Sequence, residues 1–304
     1  MRVTAIVRAA LICAAAACSD SRGTDGVTQS LGDIQRTGRI ADAALTEMSG
    51  LAPSLRQPGL FWSFNDSGHD ARVFALDSAG VALGSLVVRG AANRDWEAMA
   101  SGPCPEGACL YVGDVGDNGA RRDVVTVWRV VEPRPDDDST ALAIPLRFRY
   151  PGGPRDVEAM WVSPDTSVWL VTKRPLRAGK KGALRPALLY RLPAASWNVA
   201  DTAIASLVDS MPLVPVNGNS DTWITDAAFT MHGGIGRVAV RTYQEVVVLE
   251  ADLTSGRPGA VRARCSLRAL GERTGEAVAW LGGERLLLGN EGRGSRLASG
   301  RCPP

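Results

Sequence analysis

Histidine is almost missing from this chain of 304 residues, which has only His69 and His232. A serine triad would depend on one of them, and no Gly-x-Ser-x-Gly elbow accompanies either. Charge of one sign is missing too: 34 Lys and Arg face 32 Asp and Glu, a formal net charge of +2. That leaves no electrostatic footprint for nucleic acid, which is excluded as a partner, or for an anionic membrane surface. No Cys-x-x-Cys motif occurs among the six cysteines, which argues against a zinc knuckle. Long apolar runs are absent beyond the extreme N-terminus, and the one found there is shorter than the roughly 20 residues needed to span a bilayer. No segment has the apolar spacing of a long amphipathic helix. What is present, 45% hydrophobic and 22% charged residues, suffices for an ordinary buried core.

The N-terminus gives an address. Arg2 and Arg8 precede the apolar stretch from Ala9 to Ala17, which ends in small residues before Cys18, as a bacterial secretion signal does. Residues 1–18 are read as this signal with a lipobox-like end, and 19–32, rich in Ser, Asp, Gly and Thr, as a flexible tether. The remainder, 33–304, is read as one domain. Acylation of Cys18 would make the membrane a partner through a lipid anchor only, in the periplasm or at the cell surface; simple cleavage and release is the alternative. In an oxidising compartment the other mature cysteines pair as Cys104 with Cys109, in one tight loop, and Cys265 with Cys302, which pins the C-terminus.

Self-similarity sets the fold. Arg94-Asp95-Trp96-Glu97-Ala98-Met99 returns nearly unchanged as Arg155-Asp156-Val157-Glu158-Ala159-Met160. Looser copies lie at Thr225-Asp226-Ala227-Ala228-Phe229 and Gly275-Glu276-Ala277-Val278, with a divergent first copy at Met48-Ser49-Gly50-Leu51. Each is followed by a short apolar strand ending in polar residues, then by a third strand, and four of the five by a fourth. Four strands per unit predict an all-β, five-bladed β-propeller. The fifth unit lacks its last strand, while the segment from Asp33 to Ala44 has no unit of its own, so the N-terminal strand is expected to close the last blade. A β-sandwich or a six-bladed ring is the competing architecture. The tryptophans recur at strand positions and are read mainly as packing between blades.

If each copy opens an innermost strand, Ser49, Glu97, Glu158, Asp226 and Glu276 occupy equivalent places around the channel. Carboxylates confined there repel, so one protonates or a cation sits among them; oxygen-only ligands favour a hard ion, and Ca2+ first. The other reading is a repeated clasp in which the acids satisfy backbone N–H groups. This pattern of serine then acid resembles the five-bladed calcium-dependent apyrases, whose central calcium would map onto those five residues. Asp226 departs from that pattern, since the family has serine there. The Asp95-Trp96-Glu97-Ala98 and Gly113-Asp114-Val115-Gly116-Asp117-Asn118 signatures also resemble secreted propeller lipoproteins of uncharacterised activity.

The loops on the same face supply the remaining candidates. Asp66, Asp114 and Asp117 are the candidates to position or deprotonate water. Asn65, Asn118, Lys173, Arg174, Arg241, Tyr243, Asn290 and Glu291 are the candidates to hold a ligand, the cations through phosphate oxygens. Local turn chemistry is the structural alternative for the Asx residues. Two functions follow: an extracytoplasmic binding module with a central Ca2+ and a pocket for a small molecule, glycan, phosphate ligand or protein, or a Ca2+-dependent phosphoester or phosphoanhydride hydrolase. No organic cofactor is expected, and a monomer is.

Overall fold

The computed structural model describes residues 28–173, 186–211 and 222–303. Cys18, Arg174 and most of the tether lie outside the described residues. Among the described residues no helix is long and apolar enough to cross a membrane.

The chain opens with β1 (Gln29–Ser30) and β2 (Gly32–Arg39). Blade one is β3 (Met48–Pro53), β4 (Leu60–Asn65), β5 (Arg72–Asp77) and β6 (Ala82–Val87); blade two is β7 (Trp96–Cys104), β8 (Gly107–Asp114), β9 (Val125–Val131) and β10 (Ile144–Arg149). Blade three comprises β11 (Val157–Val162), β12 (Val168–Thr172), β13 (Leu188–Leu192) and β15 (Ser206–Ser210), while β14 (Ala203–Ile204) crosses to pair in parallel with β10. Blade four is β16 (Ile224–His232), β17 (Ile235–Thr242), β18 (Glu245–Ala251) and β19 (Pro258–Ser266). Blade five is β20 (Gly275–Gly282), β21 (Arg285–Asn290) and β22 (Arg296–Arg301), completed by antiparallel β2. The five-bladed ring and its closure by the N-terminal strand are thus as the repeat predicts.

Some boundaries differ. The expected tether is already structured at its end: β1 pairs in parallel with β19, and Leu31 is buried between the last two blades. A buried leucine gives that short polar stretch the apolar contact a free tether lacks. Strand β19 stops at Ser266, and the 3-10 turn that follows, Arg268–Leu270, ends in Gly271 at φ 68°.

The core is not one mass but five wedges, one at each junction of neighbouring blades. Inner and second strands, sandwiched by blades on both faces, are apolar almost throughout: β4, β11 and β12 are buried along their whole length. The outer β10 alternates exposed and buried, as a strand covered on one face does. Tryptophans bridge the wedges. Trp62 Nε1 donates to Glu132 of blade two at 3.0 Å, and Trp280 Nε1 to the Ala228 carbonyl of blade four at 2.9 Å. Trp96 is fully buried, as packing between blades requires.

Both cysteine pairs are disulfides, Cys104–Cys109 and Cys265–Cys302. Such bonds persist outside a reducing cytoplasm, consistent with an extracytoplasmic location. Cys265 lies on β19 and Cys302 follows β22, so this bridge staples blade four to blade five beside the closing strand. From loop length, replacing Cys265 and Cys302 by serine is expected to cost about 4 kcal/mol and replacing Cys104 and Cys109 about 2 kcal/mol. Denaturant midpoints of the two double variants test that order.

Candidate active site

Every inner strand slips its register with the second strand at the repeated motif: between Met48 and Leu51, Trp96 and Ala98, Val157 and Ala159, Ile224 and Asp226, and Gly275 and Ala277. A β-bulge inserts an unpaired residue and re-aims its side chain. The inserted residues are Ser49 with Gly50, Glu97, Glu158, Thr225 and Glu276. In blade four the register therefore puts Thr225, not Asp226, in the place of the glutamates, because Asp226 is itself paired with Arg241. Thr225 Oγ1 donates to the Gly275 carbonyl at 2.9 Å.

The bulge residues face one another. Ser49 Oγ donates to Glu97 Oε2 at 2.7 Å, and Lys173 Nζ stands 2.5 Å from Glu158 Oε1. Burial, then the charges of Glu158 and Asp66, push the Glu97 carboxyl well above the usual range. Burial likewise pushes Glu158 well up, against the pull of Lys173, and raises Glu276. One oxygen of Glu276, Oε2, is buried without a hydrogen-bond partner. Burial works against the Lys173 ammonium, yet Glu158 and Glu97 outweigh it and hold the group charged beyond a normal lysine. Tyr243 hydrogen-bonds Glu276, and burial, then that carboxylate, raises its phenol. Lys173, expected to reach for phosphate, is thus the internal counter-ion of the ring.

Asp226 realises the clasp reading. Fully buried, it accepts from the Ala227 N–H at 2.8 Å and from the Val278 N–H at 2.7 Å, tying blade four to blade five. Arg241 is equally buried: Nη1 donates to the Ala277 and Gly289 carbonyls at 2.6 and 3.0 Å, and Nη2 pairs with Glu272. Gly275 makes this possible, since a Cβ there would overlap the guanidinium. Arg241 is spent on packing and is not free to bind phosphate.

The loops around the mouth divide in the same way. Asn65 Oδ1 accepts from the Thr46 and Glu47 N–H groups, both at 2.9 Å, and its Nδ2 donates to the Ala44 carbonyl, so it shapes its own loop. Asp114 is buried, 2.8 Å from Arg122 Nη2, and accepts from the Asp95 N–H at 3.1 Å. Asp117 accepts from the Arg122 N–H at 2.7 Å, while its own N–H donates to Asp156 Oδ1 at 2.9 Å. Asp114 and Asp117 therefore brace the 113–122 loop, and neither has an open face toward a reacting water. Asn118 is exposed on that loop. Asn290 Nδ2 donates to the Glu291 carbonyl at 3.0 Å, and burial, then Glu47 and Asp66, raises the half-buried Glu291.

The carboxylates that do converge are Asp66, Asp95 and Glu97, whose oxygens lie within 4.8 Å of one another. Burial, then Asp66, pushes Asp95 up to about 6. Gly116 is what lets the loop close over them: a Cβ there would fall 2.5 Å from Glu97 Cγ and 2.7 Å from the Asp95 carboxyl. Asp95 was not among the candidates, although it precedes Glu97 in the hexamer as Asp156 precedes Glu158. A second group of ligand type, Cys104, Glu106 and Cys109, has its two cysteines locked in a disulfide. A cavity of about 670 Å³ opens at the opposite ends of the inner strands, lined by Leu51, Met99, Trp161, Phe229 and Trp280 among others and by no charged side chain.

Two outcomes are expected. Lys173→Met strands Glu158 in the ring and is expected to cost about 3–5 kcal/mol near pH 8, less at acid pH where the carboxyl is protonated. Chemical denaturation at both pH values reads this difference. Second, the folded protein holds the Asp95 proton to about pH 6, whereas an unfolded chain releases it near 3.9. Between these values the folded state binds more protons, so wild-type stability falls as pH rises. Asp95→Asn removes that part of the slope and is expected to show the higher Tm of the two at neutral pH in a calorimetric pH series.

No protein-family model matches the chain, and no curated protein does. Solved structures match its fold. The allergen Mala s 1 of Malassezia sympodialis is 11% identical at TM-score 0.53, covering 90% of this chain and 96% of its own. The apo soluble aldose sugar dehydrogenase of Escherichia coli is 11% identical at 0.50, covering 88% and 98%. The PQQ-bound aldose sugar dehydrogenase of Streptomyces coelicolor is 12% identical at 0.49, covering 90% and 99%. The Escherichia coli structure corrects the cofactor expectation: it is the apo-form of a sugar dehydrogenase, so calcium with no organic cofactor does not follow from the fold. Among the described residues the mouth does not fit a polyanionic quinone such as PQQ, because its carboxylates outnumber the cations and Lys173 and Arg241 are already engaged. The chain is a five-bladed β-propeller whose fold is similar to that of a soluble aldose sugar dehydrogenase and of the allergen Mala s 1, and the likeness is not specific to apyrases.

Proposed function

We propose that the protein is an extracytoplasmic hydrolase of a phosphate ester or anhydride, working at the carboxylate-lined mouth of its channel as a monomer tethered through Cys18. One observation carries the reading: the convergence of Asp66, Asp95 and Glu97 at the mouth. Three carboxylates repel a phosphate, and with no imidazole or thiolate among them they suit a hard divalent cation, which would supply the missing positive charge. Asp66, Asp95 and Glu97 would hold it. Ser49 orients Glu97 through its 2.7 Å hydrogen bond. Arg122, fixed by Asp114, lies close enough to lower the Asp95 pKa and so tempers the cluster.

A non-catalytic ligand-binding module is the second reading. It is favoured by the number of polar groups, Asn65, Asp114, Asp117, Asp226 and Arg241, that are consumed in internal contacts. Hydrolysis of a panel of nucleotides and p-nitrophenyl phosphate, with and without chelator, separates the two. The expected result is chelator-sensitive turnover that drops about 100-fold or more in Asp95→Asn without a fall in Tm. Turnover equal in wild type and variant, or none in either, would leave the binding module.

A further inference from the structure

The same face carries a second concavity, distinct from the carboxylate mouth. A cleft of about 480 Å³ lies over blade five, between the 271–274 loop entering β20, the 291–295 loop joining β21 to β22, and the outer strands. Five arginines line it: Arg36, Arg39, Arg273, Arg293 and Arg296. In a chain whose net charge is +2, that is a strong local excess. Of the two acids in the lining, Glu272 is taken by buried Arg241, so the five arginines outnumber the one remaining acid, Glu291.

The arginines also lack acidic partners among the described residues. Arg39 Nη1 donates to the Gly294 carbonyl at 3.0 Å, but none of the five is ion-paired among the described residues. Arginines elsewhere on the last two blades do find acids: Arg237 pairs with Glu284, Arg262 with Glu250, and Arg285 and Arg301 with Asp33. Beneath the cleft, the Ser295 hydroxyl is buried, its residue only 7% exposed, and has no hydrogen-bond partner. An unsatisfied buried hydroxyl is costly unless something supplies a partner. Gly292 and Gly294, at φ 116° and 61°, carry no side chain into the opening, and a Cβ at either would meet nothing within 4 Å.

We infer that this cleft binds a small molecule carrying two or more anionic groups, phosphates or carboxylates. Guanidinium forks match both oxyanions in bidentate geometry, and several around one cleft select for multiple charges. The Ser295 hydroxyl supplies an uncharged donor at the floor. This site is independent of the hydrolytic reading, because it shares none of Asp66, Asp95 and Glu97.

Isothermal titration of the full-length protein with inorganic tripolyphosphate and with citrate, at a constant ionic strength of about 0.15 M, tests the inference. The expected result is one site, with the tighter anion revealing whether phosphate or carboxylate is preferred. In Arg273→Ala/Arg293→Ala, both changes at exposed positions, affinity is expected to fall about tenfold or more; Ser295→Ala is expected to weaken it by a few fold. Arg262→Ala, removing an exposed arginine of blade four, is expected to bind as wild type. Absence of binding by either anion, a double variant that binds as wild type, or an equal loss in Arg262→Ala would overturn the site. Binding is read without turnover, so an inactive protein that still titrates would sink only the hydrolase reading.

Discussion

Five β-bulges at the start of the inner strands are the constraint on which the rest depends. A regular strand would alternate its side chains between the two neighbouring blades, and an acid at this position would be driven into an apolar wedge. The inserted residue breaks the alternation and sends Ser49, Glu97, Glu158 and Glu276 toward one another instead. The wedges between blades can then be filled with apolar side chains, while the charge of the inner strands is collected at one end of the channel. The other end is left uncharged.

Crowding carboxylates in a poorly solvated mouth is costly, and the molecule offsets that cost in three ways. Lys173 places an ammonium among them, and its position is held because its N–H donates to the Asp156 carbonyl and its carbonyl accepts from the Ile224 N–H, both at 3.0 Å. Burial raises the pKa of Glu97, Glu158 and Glu276, which lowers the cost of protonating one of them. In blade four the acid is withdrawn: Thr225 takes the ring position, and Asp226 turns to the backbone of the next blade. Asp95, beside Asp66 on the side of blades one and two, has Arg122 as a nearby cation, and that guanidinium is already paired with Asp114.

How much of this was legible differs from residue to residue. The hexamer shared by residues 94–99 and 155–160, with the looser copies at 48–51, 225–229 and 275–278, was enough to count blades, because a repeat can bury its apolar faces only against copies of itself. The closing strand was legible as an unpaired N-terminal segment opposite a three-stranded last unit. The two disulfides were legible from cysteine count and loop length. Asp95 carried a signal too, its recurrence as Asp156. Arg241, Asn65 and Asp114 carried none: a polar residue at a strand end looks the same whether it faces a ligand or a backbone group of the adjacent blade.

The sequence by itself determined the all-β repeat, the five-bladed closure, the cysteine pairing and the position in each blade where polar side chains would gather. These follow from local pattern and from the need of every unit to be covered. Only the tertiary structure decided which of those side chains were consumed and which remained open. That choice turns on contacts between residues far apart in the chain, such as Lys173 with Glu158 across one blade and Arg241 with Glu272 across two. It also turns on a one-residue register shift that moved Asp226 from the ring to a clasp. Charge pairing and burial depend on distances of a few ångströms, and no spacing along the chain encodes them.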